Sequence, residues 1–454
     1  MTNVITIDVA GFKRVLDMVK GCVPSKNHNP NLLNVKLDYR KERGDFTLTG
    51  SNGDARLTVV CAERKTDGDG NTQTEPCVRI LTEAREGWQP VCIDYQRLRE
   101  IFAVLPAARR CTVTLTEDGE TRTMEIDYQE GKLSLPYESA VEYPEPIDVV
   151  TVGSPRGERR RELEAEISRL VGEQGEEAQG LASLRTELSG IPEPVCRFTV
   201  YGRTVLTALR EAKTCTADDE LRPVMNGVCF DTYIDHLVIV ASDGHKMYKN
   251  VIETGMGFLE YKTFAADQSA ALILPKQSMA AVSAAFAGAE RLTLTADTQM
   301  IQLEAEGVNY VTRCIEGRYP NYESVIPRDN PYKVQMSRDT LRMALRRVGL
   351  SSDSSSNMVT FHSDGTAFTI SAADMEFSRS GSERVPIQQT DAFLPEGFTI
   401  GMKLSNTLEL LDLLDEDSIV FFFSDPSRAF LLRNESPKAQ AKTLLQMPML
   451  VNEA

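Results

Sequence analysis

Leu237 to Asn250 reads LVIVASDGHKMYKN. Leu237, Val238, Ile239 and Val240 are an unbroken aliphatic run, the pattern of a strand buried on both faces. Ala241, Ser242, Asp243 and Gly244 interrupt it. Glycine tolerates a positive φ, and an Asp side chain can bond its own backbone two residues on. Asp243-Gly244 is therefore expected as a tight turn. His245, Lys246, Met247 and Tyr248 then resume as a second short strand. Alone, this stretch describes a plain β-turn in a buried sheet.

Two further copies give it weight. Phe46 to Asp54 reads FTLTGSNGD, and Phe368 to Glu376 reads FTISAADME. Aligned with LVIVASDGH, both alternate apolar residues and then pass through small residues into a polar turn. A helix-like stretch precedes and follows each copy. A unit of about 130 to 150 residues has been copied three times.

The chain has 454 residues, room for about three domains, each with its own core. Its apolar fraction of 41% and charged fraction of 26% are ordinary for a globular protein in water. No apolar run approaches the ~18 residues of a membrane span; Ser278 to Ala289 comes nearest and is too short. The start, MTNVITIDVAGFKR, lacks the apolar core of a secretion signal. Nine cysteines, at 22, 61, 77, 92, 111, 196, 215, 229 and 314, are scattered without a CxxC pair. That pattern fits reduced thiols in a cytoplasm better than zinc or a disulfide framework. The formal net charge of −16 repels phosphate over most of the surface. A local basic lining remains compatible with it.

Taken in order, Val9 to Cys22 predicts a helix whose stripe is Phe12, Val15, Leu16 and Val19, with Lys13, Arg14 and Lys20 off it. Asp94 to Leu105 predicts a second, stopped by Pro106. Short strands fill Asn31 to Val60 and Cys111 to Leu135, and Tyr143-Pro144-Glu145-Pro146 closes the unit. The pattern restarts at Cys196 with Val205, Leu206 and Leu209 beside Arg203, Arg210 and Lys213. Leu274-Pro275-Lys276 opens the next helix, and GRYPNYESVIP, Gly317 to Pro327, ends the second unit. The third begins at Tyr332. Its first helix, Ser337 to Leu350, sets Leu341, Ala344, Leu345 and Val348 against Arg338, Arg342 and Arg346, four apart, with Arg347 adjacent. Leu404, Leu408, Leu411 and Leu414 mark the last helix. The six helices share an apolar stripe and a Lys/Arg face, strongest in the first of each pair. A sequestered positive surface of this kind binds phosphates without reading bases.

Thr151 to Pro194 differs in kind. It is rich in Glu and Arg, with Leu163, Ile167 and Leu170, then Leu181, Leu184 and Leu188, at helical spacing. Two short antiparallel helices joined by a Gly-Glu turn, or a charged linker, both fit this composition.

Five stretches in register resemble the bacterial DNA polymerase III beta subunit, the sliding-clamp family. They are Arg222-Pro223-Val224-Met225-Asn226-Gly227-Val228, Ala241 to Met247, Leu274-Pro275-Lys276, Arg318-Tyr319-Pro320-Asn321-Tyr322 with Val325-Ile326-Pro327, and Met447-Pro448-Met449. The likeness runs through nearly all of the chain except Thr151 to Pro194. It implies an α+β fold of three clamp domains, with antiparallel sheets outside and two helices inside each. The expected division is 1–150, 195–328 and 329–454, with a charged helical insertion at 151–194. It also implies a head-to-tail homodimer that closes a ring around duplex DNA. Twelve helices would line the hole, and the grip would be topological and sequence-blind. Its implied partners are the replicative polymerase, a clamp-loader ATPase and other proteins with clamp-binding peptides. It implies no cofactor, no metal and no catalysis.

Carried over residue by residue, the resemblance assigns a peptide pocket to Arg222, Met225, Ser242, Gly244, His245, Lys246, Met247, Pro327, Leu445, Met447, Pro448 and Met449. Flexible, polarisable methionines suit a pocket that accepts several partners. The expected DNA contacts are Lys26, Arg210, Lys213, Lys276, Arg342 and Arg346. The expected seam between subunits is Leu133 and Leu135 against the region of Leu350. Three departures bear on the preferred peptide. Leu450 to Ala454 extends beyond Met449, Val224 stands where the best-known clamps have an aromatic residue, and Lys246 stands in place of Arg.

Two other readings follow from the residues. Asp243 and His245 suggest a general-base pair, but no GxSxG nucleophile motif and no Walker-type loop accompany them. A clamp-like scaffold that does not encircle DNA is the second.

Overall fold

Alternation of apolar and polar residues dominates the chain, so strands dominate the structure. The computed structural model describes residues 2–66, 72–81, 88–107, 109–129, 131–145, 148–174, 179–255, 257–263, 270–390, 394–395, 397–436 and 441–451. Two compact units emerge. The first takes in 1–206, 259–268 and 277–314, and the second 207–258, 269–276 and 315–454.

In the first unit a five-stranded sheet has the order Gly131–Pro136, Thr121–Tyr128, Arg110–Asp118, Thr2–Asp8, Val78–Ile80. A ten-stranded sheet begins Glu138–Ser139, Val91–Asp94, Asn34–Arg40, Asp45–Ser51, Ala55–Val60. It continues through Val308–Arg313, Met300–Ala305, Arg291–Asp297, Pro194–Tyr201 and Phe258–Thr263. In the second unit a nine-stranded sheet runs Ala270–Pro275, Gly227–Thr232, His236–Ser242, Lys246–Glu253, Lys442–Gln446, Phe430–Asn434, Ser418–Phe423, Tyr332–Ser337, Gln389–Thr390. A four-stranded sheet runs Arg379–Pro386, Ala367–Asp374, Met358–Ser363, Thr399–Lys403.

These orders contain one pattern three times over. Each repeat supplies a half-sheet of the Val91/Asn34/Asp45/Ala55 kind and another of the Thr2/Arg110/Thr121/Gly131 kind. Large sheets arise where the last strand of the first half meets the last strand of a second half from the next repeat. Ala55–Val60 does so with Val308–Arg313, and Lys246–Glu253 with Lys442–Gln446, both antiparallel.

The helices are α1 (Val9–Val19), α2 (Tyr95–Val104), α3 (Pro155–Gln174), α4 (Leu181–Ser189), α5 (Gly202–Lys213), α6 (Ser278–Ala285), α7 (Arg338–Val348) and α8 (Leu404–Leu411). Asp8 caps α1, its carboxylate accepting the Gly11 N–H at 2.8 Å. Asp94 caps α2 and Ser337 caps α7 in the same way. The apolar stripes are buried as expected: Phe12, Val15, Leu16 and Val19 in α1, and Leu341, Ala344, Leu345 and Val348 in α7. Phe12 and Phe102 meet between α1 and α2 with ring centroids 4.8 Å apart.

Three expectations need correction. The basic face is absent from α6 (SMAAVSAA) and α8 (LSNTLELL), which contain no Lys or Arg. The insertion does form two antiparallel helices, because Arg159 near the start of α3 pairs with Glu187 near the end of α4 at 2.8 Å. Yet α3 is 20 residues long rather than short, stabilised by Arg–Glu pairs one turn apart such as Arg160–Glu164. Leu163 and Leu181 are buried in this hairpin. The joining turn, 175–178, and Pro146 lie outside the described residues.

The third correction concerns the repeated turn. Gly53 and Gly244 adopt φ of +96° and +89°. In the first, Asn52 Oδ1 accepts the Asp54 and Ala55 N–H groups at 3.0 and 2.7 Å, and Ser51 Oγ donates to the Ala55 carbonyl at 3.0 Å. In the second, Asp243 Oδ1 accepts the His245 and Lys246 N–H groups, each at 2.8 Å. There Ser242 Oγ donates to the Lys246 carbonyl at 3.0 Å. The copy at Phe368 instead runs straight on through Asp374 and turns at residues 375–378, with Ser378 at φ +52°. Its Ser-Asp-Gly turn lies one hairpin earlier, at Ser363-Asp364-Gly365, where Gly365 has φ +86°.

Candidate functional site

The turn at Asp243 delivers Lys246–Glu253 to the middle of the nine-stranded sheet. Cross-strand register then builds an apolar face. Met247 is opposite Leu445, Leu445 opposite Leu431, and Leu431 opposite Phe422. A parallel row sets Val240 against Cys229 and Cys229 against Ile273. Alternation sends Leu444, Leu432 and Phe421 to the other face, where they are buried.

The segment after Ile315 crosses the first face. Tyr319 and Tyr322 are buried there in one cluster with Met247, Leu431 and Leu445. The Tyr319 hydroxyl accepts the Ser242 N–H at 2.9 Å. Tyr322 and Tyr233 both donate to Asp231 Oδ2, at 2.5 and 2.9 Å. Burial, first, and bonding to that carboxylate raise both phenol pKa values, Tyr233 to about 12. The cover is incomplete: Val224, Ile315, Ile326 and Phe422 pack against the cluster only half-buried. The result is a partly open apolar face, here called the groove.

The structure brings most of the predicted pocket residues to this place. Met247 and Leu445 are buried in the cluster, Met225 is buried next to Val224 in the chain, and Met447 is 39% exposed. Met447 donates its N–H to the His245 carbonyl at 2.7 Å, which ties the chain end to the turn. Gly244 lies under Arg222: a Cβ there would sit 3.1 Å from an Arg222 nitrogen. Arg222 also holds Asp219 at 2.8 Å and keeps its carboxyl below the usual range. Pro327 is half-buried at the end of the covering segment. Pro448 and Met449 lead away from the groove. The Met449 N–H donates to Gly401 at 2.8 Å, and a Cβ on Gly401 would come 2.6 Å from the Met449 carbonyl oxygen. The residues of the tail beyond Val451 lie outside the described set.

Lys246 is not a free cation on the rim. Its side chain is 8% exposed and its ammonium contacts Glu409 of α8, with Asp243 at 3.7 Å. The Asp243–His245 pair does not form a base and its orienter either. Asp243 directs Oδ1 to backbone N–H groups, and His245 points to solvent. Sequence reasoning missed Ile326, Phe422 and the two tyrosines as groove residues. The signal was present in Ser418–Phe423, whose alternating burial leaves Phe422 half-covered between Phe421 and Phe423.

The six expected DNA contacts divide. Lys26, Arg210, Lys213 and Arg346 are exposed, with no ion pair among the described residues. Lys276 is held by Asp218 at 2.6 Å and Arg342 by Asp412 at 2.5 Å, so these two are part-neutralised. At the expected seam, Leu135 is buried and Leu133 half-buried on the edge strand Gly131–Pro136. Leu350 is 77% exposed beside the edge strand Arg379–Pro386. Among the described residues no group of His, Cys, Asp and Glu could hold a metal ion, and no helix is long and apolar enough to cross a membrane.

Comparison with known proteins fits this geometry. A family model for the central domain of the DNA polymerase III beta subunit matches residues 199–321, and one for its C-terminal domain matches 323–449. Together they take in more than half of the chain. It belongs to the DNA polymerase III beta subunit family. The beta-subunit matches put the Asp243 turn and Met247 in the central domain, and Phe422, Leu431, Leu445 and Met447 in the C-terminal one. Relatives include the beta sliding clamps of Proteus mirabilis, 21% identical over 55% of this chain, and of Synechococcus elongatus, 26% identical over 45%. These alignments span 65% and 56% of the relatives' own length, less than two thirds. The fold likeness is broader. The beta subunit of Streptococcus pyogenes superposes with a TM-score of 0.76 at 18% identity over 99% of this chain and all of that one. The Bacillus subtilis sliding clamp gives 0.75 at 18% over the full length of both. A Pseudomonas aeruginosa clamp solved with griselimycin bound gives 0.75 at 16%, over 99% of this chain and all of that one.

Proposed function

We propose that this beta-subunit chain is a DNA sliding clamp: a non-catalytic ring of two copies that encircles duplex DNA and tethers a replicative polymerase. The observation that carries this is the sheet junction. Within the chain, the end strand of one repeat pairs twice with the end strand of the next, at Ala55–Val60 with Val308–Arg313 and at Lys246–Glu253 with Lys442–Gln446. The corresponding strands at the two extremes, Gly131–Pro136 and Arg379–Pro386, are left at sheet edges. A second copy, placed head to tail, would pair them by the same rule and leave neither of these two edges free. Leu133, Leu135 and Leu350 would then meet at the seam.

Three domains, 1–150, 195–328 and 329–454, would each present a basic first helix to duplex DNA. Lys26, Arg210, Lys213 and Arg346 would make weak phosphate contacts that permit sliding. The groove around Met247 would take the apolar segments of the polymerase, a clamp-loading ATPase and other partners in a bacterial cytoplasm. Retention on DNA tests this. The protein should stay on nicked circular DNA after loading and run off once the circle is cut. Equal retention on both forms would favour a scaffold that does not encircle DNA. Leu350→Asp, at a residue 77% exposed in the single chain, should convert the dimer to monomers on a sizing column.

A further inference from the structure

The groove face continues past its apolar rows to one arginine that the proposed function leaves without a role. Arg433 lies on Phe430–Asn434, two residues beyond Leu431 and therefore on the same face. Its register partner is Val420, two residues from Phe422. The guanidinium carbon stands 5.6 Å from the centre of the Phe422 ring. Arg433 is half-buried, and its Nε is buried without any hydrogen-bond partner. No ion pair to it exists among the described residues.

The opposing case lies in the first unit. Arg56 is likewise half-buried on a large sheet, and one of its terminal nitrogens is also unbonded. There Tyr143, Asp148 and Asp38 counter the desolvation that lowers its pKa. At Arg433 burial lowers the pKa and nothing opposes it. A guanidinium stripped of water on one side, with no anion nearby, is costly alone and strongly favoured once a carboxylate arrives. The fork geometry suits a planar carboxylate, and the Phe422 ring under it holds the plane.

We propose that Arg433 is a specificity determinant for the bound partner: it pairs with an Asp or Glu side chain next to the apolar residues that fill the groove. This rests on the groove being a peptide site. A side chain fits better than a terminal carboxylate, because the sheet face runs on past Arg433 toward Ser418 and nothing there requires the partner chain to end.

The test uses the full-length protein and short amidated peptides with Leu and Phe anchors. One Glu is moved through each position, and every peptide has a Gln twin. Fluorescence anisotropy should find one position at which Glu binds about tenfold more tightly than Gln. That gap should close in Arg433→Met, persist in part in Arg433→Lys, and narrow as salt is raised. Thermal midpoints of both variants report whether they fold. Equal binding of the twins at every position, or a Glu preference that survives in a folded Arg433→Met, overturns the assignment but leaves the groove reading intact. If neither twin binds at all, both readings fail.

Discussion

The two sheet junctions are built alike and finished differently. In the first unit, Ala55–Val60 meets Val308–Arg313, and the chain itself fills the space beside them. Val149, Met300 and Val311 form a closed buried cluster. Asp297, with no exposed surface, accepts the N–H groups of Val150, Gln299 and Met300 at 2.7, 2.8 and 2.7 Å. In the second unit, Lys246–Glu253 meets Lys442–Gln446 under a cover that stops short. Val224, Ile326 and Phe422 are left half-exposed over a larger apolar cluster. The same β-pairing thus gives a sealed joint in one place and a receptive surface in the other. What differs is the connecting segment that crosses each joint, not the sheet.

The comparison can be broken by putting a charge into each junction. Val311→Asp would bury an unpaired carboxylate and should cost more than about 3 kcal/mol, or prevent folding. Ile326→Asp should cost about 1 kcal/mol or less, because the side chain can reach water, yet weaken apolar-peptide binding at least about tenfold. Urea melts and anisotropy titrations read the two. Equal stability losses would mean that the groove is no more open than the sealed joint.

Asp297→Ala comes next. It removes the acceptor of two buried N–H groups and a part-buried one and should cost about 2–3 kcal/mol. Burial raises the Asp297 pKa against the pull of those donors. A raised folded pKa means stability that is fully present below the unfolded value and lost as pH rises through the folded one. The Asp297→Ala penalty should therefore grow as pH falls from 7 toward 4, read as the difference between wild-type and variant melts.

The two matching turns sharpen the contrast further. Gly53→Ala and Gly244→Ala each force alanine to a positive φ and should each cost about 1 kcal/mol. Only Gly244→Ala should alter peptide binding, since its methyl would press on Arg222 at 3.1 Å, whereas at Gly53 the nearest atom is a Leu32 methyl at 3.7 Å. The smallest effect belongs to the hairpin of α3 and α4. Its ion pairs other than those of Arg160 are exposed and worth little. Replacing 155–190 with a short flexible linker should leave the melting midpoint within a few degrees and peptide affinity unchanged. A large loss would show that Leu163 and Leu181 carry stability for the joint beside them.

The repeat, the helices, the Asx-Gly turn and the family were legible in the residues. Each depends on contacts within a few positions: the hydrophobic period, a carboxylate three residues before an N–H, a glycine where φ is positive. The third turn was misread because small residues at Ser371 to Ala373 mimic a turn but continue a strand once Arg379–Pro386 pairs with it. Whether a cation is free was not legible at all. Lys246, Lys276 and Arg342 look like Lys213 and Arg346 in sequence, and only folding brings Glu409, Asp218 and Asp412 to the first three. The same holds for Arg433, whose want of an ion pair among the described residues depends on everything around it. Local chemistry fixed the elements and their order. Which charges are cancelled, and which apolar faces stay uncovered, was decided by residues tens to hundreds of positions apart meeting in space.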